Sequence, residues 1–241
     1  LNDLNPEKSW SVNLNYVHKM YLKQGHIFEF DASVFRTNFS NKIVPNYDTD
    51  PNFIIYDNLD GRSVTQGISL NFNALFRGGL RINLGATYID SYLESAGSKT
   101  RPYLTERFRG VWKIEQKLRA PNLTIDLTGS VTGPLRLPLL GELDPRTPYA
   151  PTFSIINIQL TKGWNNRYDF YGGVKNLLNF TPAKNSIARA FDPFDRAVQF
   201  DEFGDAQPSP GNPYGLTFDP TYVYASNQGI RFFMGFRWTL D

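Results

Sequence analysis

Apolar and polar residues alternate along many short segments of this chain. In the first such segment, Trp10, Val12, Leu14 and Tyr16 alternate with serine and asparagine. Successive side chains of a β-strand point to opposite faces, so this period of two predicts a ribbon with one apolar and one polar face. A helix would instead need apolar residues three and four positions apart, and these segments lack that spacing.

Nine segments carry the alternation and are predicted to be strands. They comprise residues 10–16, 28–34, 68–76, 80–88, 108–118, 123–131, 156–161, 168–174 and 230–240. We expect the third strand to begin further upstream, near Phe53 to Tyr56. Polar-face residues such as Asn83, Asp126 and Arg237 would be costly to bury in a protein core, but they suit a wide, wet lumen.

The connections between these strands alternate between short and long. Gly-Gly, Pro-Asn and Asn-Asn pairs occupy short connections and favour tight hairpins. The long connections span about residues 38–52, 90–105, 133–152 and 176–228. Short turns at one rim and long loops at the other are typical of outer-membrane barrels, in which the short turns face the periplasm.

We therefore predict an all-β fold, namely a transmembrane antiparallel up-and-down β-barrel. Its apolar face would contact lipid, its long loops would be extracellular and its C-terminus would be periplasmic. Nine strands cannot close into an antiparallel barrel, and an open sheet would leave bare edges in lipid. We expect residues 1–241 to be the C-terminal part of a larger barrel, with the remainder lying upstream or in another chain.

Composition changes this interpretation little. The net charge of +2 is too balanced to indicate a nucleic-acid partner, and the absence of cysteine excludes disulfides and thiolate chemistry. Aromatic residues make up 15% of the chain and are the unusual feature of its composition. Those at strand ends are expected to form interfacial girdles. They are Trp10, Tyr88, Trp164, Tyr168 and Trp238.

Candidate metal and catalytic groups are sparse. The two histidines, His18 and His26, flank the first short turn without an evident third ligand. Four loop acids could offer oxygen ligands, but their spacing matches no calcium loop and solvated acids are the preferred interpretation. They are Asp48, Asp50, Asp57 and Asp60. The chain has no G-x-S-x-G motif, and we predict no catalytic residues, no metal site, no cofactor and no enzyme activity.

Four segments, in order along the chain, resemble motifs of the TonB-dependent outer-membrane receptors. Residues 4–9 resemble an L-x-P-E-x-S segment that leads into a barrel strand. Residues 61–70 resemble a glycine-containing segment, although Ser69 stands where an acidic residue is usual. Residues 173–179, Gly-Val-Lys-Asn-Leu-Leu-Asn, resemble the block that ends the penultimate strand. Residues 229–240 resemble the closing strand, although Asp241 follows where a terminal aromatic is usual.

The resemblance implies a barrel of about 22 strands, of which these would be the last nine. It implies active uptake of a scarce large solute, such as a siderophore, cobalamin, glycan or peptide, across the outer membrane of a Gram-negative bacterium. The implied partners are an N-terminal plug and barrel half outside this chain, the TonB complex, outer-membrane lipids, the solute and a surface lipoprotein. Nucleic acid is not among them.

The last long loop is the best candidate for solute binding, because aromatic rings can stack on sugars or planar ligands while charges orient them. The candidate residues are Phe191, Asp192, Phe194, Asp195, Arg196, Tyr214, Tyr222 and Tyr224. A loop this long could instead fold over the barrel mouth and pack on itself, so that its aromatic residues serve structure.

Three other classes remain open. A passive porin-type channel would share the polar lumen but would lack a plug and energy coupling. An outer-membrane barrel enzyme and a soluble β-sandwich are further alternatives. A plug domain in the upstream sequence would distinguish an energised receptor from a porin. An ordered monomer of this chain in the absence of detergent would instead indicate the soluble β-sandwich.

Overall fold

The computed structural model describes residues 4–46, 55–165, 167–191 and 194–239, and all regular elements in these ranges are strands. The strands are β1 (Lys8–Tyr21), β2 (Ile27–Ser40), β3 (Ile43–Asn46), β4 (Ile55–Asn58), β5 (Arg62–Leu75), β6 (Leu80–Ser95), β7 (Ser98–Thr100), β8 (Phe108–Leu118), β9 (Leu123–Thr132), β10 (Phe153–Trp164), β11 (Tyr168–Lys175), β12 (Gln199–Phe200), β13 (Ala206–Gln207) and β14 (Arg231–Trp238). The described residues contain no helix that is long and apolar enough to cross a membrane.

One large antiparallel sheet forms the body of the molecule. Its strands are hydrogen-bonded in the order β1-β2-β5-β6-β8-β9-β10-β11-β14, and β7 pairs with β6 beside this path. Each strand of the path pairs with the next path strand along the chain, so the sheet is the predicted nine-stranded meander. The hairpins β3–β4 and β12–β13 are separate two-stranded sheets inside long connections.

Short and long connections lie at opposite ends of this sheet. The short-turn end consists of residues 22–26, 76–79, 119–122, 165 and 167. Gly79 has a φ of +84° there, and a Cβ added to it would lie 2.6 Å from the carbonyl oxygen of Lys117. Asn122 and Asn165 also have positive φ, which asparagine tolerates better than most residues. The long-loop end consists of the described residues within 41–61, 96–107, 133–152 and 176–230.

The third strand of the meander begins upstream of the alternating segment 68–76, but not as far upstream as the expected start near Phe53 to Tyr56. Ile55–Asn58 form the separate strand β4, which pairs with β3, and β5 starts only at Arg62. The expectation of one continuous strand from the region of Phe53 was therefore wrong; Phe53 itself lies outside the described residues. Gly61 separates the two strands with a φ of +148°, at a place where a Cβ would lie 1.9 Å from the carbonyl oxygen of Glu94.

The register gives the sheet an apolar face and a polar face. Phe30, Phe72, Leu84 and Trp112 are joined as successive cross-strand partners and share the apolar face. The residues adjacent to these in each strand are also cross-strand partners, but they are charged or polar and share the opposite face. That row contains Glu29, Asn73, Asn83 and Lys113. The predicted alternation is thus translated directly into two chemically distinct surfaces.

The apolar face is not covered by another layer of the described chain. Leu84 is 45% exposed, and Phe170 and Phe236 are more than half exposed. At the short-turn end, Trp164, Tyr168 and Trp238 are direct cross-strand neighbours and form an aromatic row. Exposed apolar surface of this extent, bounded by aromatic residues, matches a membrane-facing wall rather than half of a soluble sandwich.

Arginine substitutions at two adjacent residues test the assignment of the faces. In the complete barrel protein, Leu84→Arg places a charge on the apolar face and should lower the free energy of unfolding by about 2–4 kcal/mol. Asn83→Arg is the matched control on the polar face, where Asn83 donates to Asn73 Oδ1 at 2.7 Å, and it should cost far less. Denaturant titration in lipid vesicles measures both, and equal losses would contradict the assignment.

Candidate functional site

Three long connections pack together at the long-loop end of the sheet, and we call the described residues within 101–107, 133–152 and 176–230 the loop cap. Among the described residues, the buried hydrophobic cluster of the molecule lies here and not in the sheet. It consists of Leu135, Leu137, Ala150 and Tyr222, with Leu139, Phe153 and Tyr224 packed against it. The ring of Phe153 also stacks on Phe180 with 4.7 Å between centroids. The cap therefore has a core of its own.

A buried ion cluster joins two of the cap loops. Arg146 Nη2 donates to Asp144 Oδ2 at 2.7 Å and to Asp219 Oδ2 at 2.9 Å, across 73 residues of sequence in the second case. The three side chains are between 0% and 5% exposed. The guanidinium carbon also lies 4.4 Å from the centre of the Tyr222 ring. Because removing one partner would leave a buried charge uncompensated, the cluster fixes how the two loops pack.

The protonation states in this cluster follow from its contacts. Burial opposes ionisation of Asp144, but hydrogen bonds from the Arg146 side chain and from backbone amides outweigh it and hold its pKa below the ordinary value. Burial likewise opposes the charge of Arg146, whereas the hydrogen bonds to Asp144 and Asp219 raise its pKa. The ionised forms of Asp144 and Arg146 therefore stabilise one another, and the cap depends on their charges.

A second arginine connects the remaining cap loop. Arg136 Nη1 donates to the Arg101 carbonyl oxygen at 2.8 Å, and Nη2 donates to the Tyr103 hydroxyl at 3.2 Å. Its guanidinium lies over the Tyr103 ring at 4.2 Å. The backbone amide of Leu104 donates to the Arg136 carbonyl oxygen at 2.8 Å. Residues 101–107 are thus attached to the same packed unit.

Two asparagines close the base of the last long loop. Asn176 is buried, and its amide donates to the Phe180 carbonyl oxygen at 2.7 Å and to that of Gln228 at 3.3 Å. Asn179 Oδ1 accepts a hydrogen bond from the Ile230 amide at 2.8 Å. Both residues belong to the Asn-Leu-Leu-Asn block singled out in the sequence, and the structure gives that block a physical role as a loop clamp.

Part of the predicted binding set is exposed on the cap. Phe194 is 86% exposed, Phe191 is 55% exposed and Tyr214 is 47% exposed, and Arg196 is also exposed. The Arg189 guanidinium lies 4.6 Å from the centre of the Phe191 ring. These residues present apolar and cationic groups that a solute could contact. Asp192 lies outside the described residues.

Other members of the predicted set contact protein. Asp195 forms an ion pair with Arg189, whose hydrogen bond holds the pKa of the Asp195 carboxyl below its ordinary value. Tyr222 is 3% exposed and donates its hydroxyl to the Thr147 carbonyl oxygen at 2.8 Å. Tyr224 is half-buried, and burial raises the pKa of its hydroxyl.

Sequence reasoning missed the buried ion cluster as a feature of the loops. Asp144 and Arg146 lie two residues apart in a polar, proline-containing connection, and their partner Asp219 lies 73 residues beyond Arg146 in the last long loop. The one available signal was an acid and an arginine on either side of Pro145. Nothing local indicates that Asp219 would join them.

The polar face of the sheet holds a second candidate surface, a hollow of about 780 Å³ between β6 and β14. Lys113 Nζ lies 2.9 Å from Glu115 Oε2 and 3.4 Å from Asp126 Oδ1, so its charge is balanced by two carboxylates. Lys117 and Arg237 also line the hollow. Such a polar, charged wall can bind water, a polar solute or a polar protein segment.

No group of three His, Asp or Glu side chains suited to a metal ion occurs in the part of the chain that the structure describes. Asp57 accepts a hydrogen bond from the Asn58 amide at 2.8 Å, and His26 Nδ1 accepts one from the Arg77 amide at 3.4 Å. Asp48 and Asp50 lie outside the described residues.

Comparison with known proteins identifies relatives of this arrangement. The family model described as "TonB dependent receptor-like, beta-barrel" matches residues 1–177. No curated protein sequence matches the chain. Three solved structures illustrate the structural likeness. The ferric-catecholate import receptor Fiu from K12 E. coli matches with a TM-score of 0.61 and 14% identity, over 98% of this chain and 28% of that chain.

The pyoverdine outer membrane receptor FpvA from Pseudomonas aeruginosa PAO1, bound to pyoverdine, matches with a TM-score of 0.61 and 12% identity, over 98% of this chain and 30% of that chain. The ferric yersiniabactin uptake receptor FyuA from Yersinia pestis matches with a TM-score of 0.52 and 15% identity, over 71% of this chain and 25% of that chain. At these identities the likeness establishes the fold, that of part of a receptor barrel wall. The chain spans less than a third of the length of each of these structures.

The ion cluster predicts how the cap responds to acid. Because the pKa of Asp144 is lowered in the folded protein, its stabilising contribution is complete above the ordinary aspartate pKa and is lost as the pH falls through the lowered value. At neutral pH, Asp144→Asn should reduce local cap stability by about 1–3 kcal/mol. Hydrogen exchange across residues 133–152, with β10 as internal reference, measures the change.

Glu142→Gln is the matched control for this experiment, since Glu142 is an exposed acid in the same loop. Its exchange profile should equal that of the unmodified protein at every pH. Equal effects of the two substitutions would show that the buried cluster does not hold the cap.

Proposed function

Since this chain belongs to the TonB-dependent receptor β-barrel family, we propose that it supplies barrel wall and outer loops to an active transporter for a scarce large solute. The family assignment places the chain in the bacterial outer membrane. We propose in addition that the long-loop end faces outside, that the short-turn end and the C-terminus face the periplasm, and that further strands complete the barrel to about 22.

The observation that carries the proposal is the combination of a wall with one polar face and a packed cap at one end of it. A wall alone would serve a passive channel equally well. The cap adds a folded surface on which Phe191, Phe194 and Tyr214 are held exposed. A pre-formed surface of this kind costs less entropy on binding than a flexible loop would.

We assign the predicted residues to two roles in this function. Phe191, Phe194, Arg196 and Tyr214 are proposed to contact the solute directly, and Asp192 is retained with them from the sequence pattern. Tyr222, Tyr224 and Asp195 are proposed to support that surface through the contacts described above. The proposed solute classes are siderophore, cobalamin, glycan and peptide, and the named siderophore receptors among the structural neighbours favour the first.

The proposed partners follow from the same family. They are a plug and the remaining barrel strands, the energy-supplying TonB complex, outer-membrane lipids, the solute and a surface lipoprotein. A plug would face the polar hollow on the wall, where Lys113, Glu115 and Asp126 offer charged contacts.

Energy-dependent uptake tests the proposal as a whole. Cells carrying the full-length gene would receive labelled ferric siderophores, cobalamin, a maltooligosaccharide and a peptide in parallel. We expect one of these solutes to accumulate only when both the gene and TonB are present. Uptake that needs the gene and continues at the same rate without TonB would contradict active transport and indicate a passive channel.

The exposed aromatic residues provide a site-specific test with the solute so identified. Phe194→Ala combined with Tyr214→Ala should weaken binding to whole cells about tenfold, because exposed aromatic anchors contribute much of the contact energy at such surfaces. Leu143→Ala, which removes an exposed apolar residue from another cap loop, is the control and should bind as before. Equal solute binding by the unmodified protein, the double variant and Leu143→Ala would contradict the assignment of solute binding to the last loop.

A further inference from the structure

A groove crosses the apolar face of the sheet near the long-loop end. It has a volume of about 880 Å³ and runs over β1, β2, β5 and β6. Its lining includes the half-buried Phe35 and six exposed apolar residues, which are Trp10, Val12, Leu14, Val34, Ile68 and Tyr88. All six exposed residues have at least 40% of their surface accessible, so the groove is open on the apolar face, which we assign to the lipid side.

A polar row borders the groove on the side of the long loops. Arg36 Nη1 donates to Gln66 Oε1 at 2.8 Å, and Gln66 Nε2 donates to Asp90 Oδ2 at 3.2 Å. Gln66 therefore separates the two charged groups. Within the described residues no carboxylate lies within ion-pair distance of Arg36, so most of the five guanidinium N–H donors remain available for a ligand.

The position of this row matches the boundary of the hydrocarbon layer. On β6 the apolar face carries only uncharged side chains from Leu80 to Tyr88, a span of nine residues. That length is close to the roughly 9–11 residues with which a tilted strand crosses a bilayer. Arg36 and Asp90 form the first charged row beyond it, at the level where lipid headgroups lie.

We propose that this groove is a lipid-binding site, in which an acyl chain lies along the apolar lining and Arg36 binds the phosphate of the headgroup. A guanidinium matches the geometry of a phosphate with paired hydrogen bonds, which an ammonium cannot do. Tyr88 and Trp10 line the groove at the depth that amphipathic rings favour in membranes. The inference depends on the outer-membrane location in the proposed function and is independent of the solute.

Native mass spectrometry of the detergent-purified full-length protein tests the site with three probes. These are phosphatidylglycerol, a galactosyl diacylglycerol without phosphate, and inorganic phosphate. Phosphatidylglycerol should bind the unmodified protein, and Arg36→Gln should weaken that binding about tenfold. The galactolipid should bind the unmodified protein only as weakly as phosphatidylglycerol binds the Arg36→Gln variant. Inorganic phosphate should not displace the bound phosphatidylglycerol.

Two further variants separate charge from shape. Arg109→Gln removes an exposed arginine from the polar face of β8 and should leave phosphatidylglycerol binding unchanged. Val34→Trp fills the groove without altering charge and should weaken binding as Arg36→Gln does. Folding of each variant is verified by the heat-dependent gel shift of an intact barrel.

Several outcomes would overturn the inference: unchanged lipid binding by Arg36→Gln, unchanged binding by Val34→Trp, or displacement of lipid by inorganic phosphate. The uptake assay keeps this result apart from the proposed function. If the lipid-binding tests fail while uptake still depends on TonB, the proposed transport function is unaffected. If uptake proceeds without TonB, only the proposed transport mechanism is contradicted, and the lipid site is unaffected.

Discussion

The continuous ladder of backbone hydrogen bonds between neighbouring strands is the interaction on which the wall depends. A hydrocarbon layer offers no hydrogen-bond partner, so each amide and carbonyl must be satisfied by an adjacent strand. The pairing of β2 with β5 runs without interruption over fourteen residues, from Ile27 opposite Leu75 to Ser40 opposite Arg62. Because the ladder holds the strands together, the side chains of the sheet need no common core, and its two faces can differ in chemistry.

The cap is stabilised differently, since its segments are mostly irregular apart from the short hairpin β12–β13 and its stability comes from side chains. Its hydrophobic cluster and its two arginine-centred contacts replace the missing ladder. Burying charges such as Arg146 and Asp219 brings little net stabilisation compared with apolar packing, but it penalises every arrangement that separates them. A wall defined by its backbone thus supports a cap defined by a few specific side chains.

The sequence predicts the wall well because strand pleating turns a local period of two into two faces, whatever lies far away in the chain. It predicts less where the same local signal has two structural outcomes. Ile55 and Tyr56 continue an apolar pattern toward β5, yet the backbone at Gly61 divides them into a separate hairpin. In the cap, Phe194 and Tyr222 are both loop aromatics, but Phe194 is exposed, whereas Tyr222 is buried by contacts with Leu135, Thr147 and Arg146 from another loop. Contacts across such separations leave no local pattern.

The clamp formed by Asn176 and Asn179 has a consequence for how this molecule can diversify. Holding together the two ends of a loop of more than fifty residues costs conformational entropy, and this cost grows only slowly with loop length. Asn176 reaches Gln228 and Asn179 reaches Ile230, so the ends of the loop meet before its interior is specified. Insertions and substitutions between these anchors therefore leave the pairing of β11 with β14 undisturbed. Evolution can change what the cap recognises while the wall that carries it stays the same.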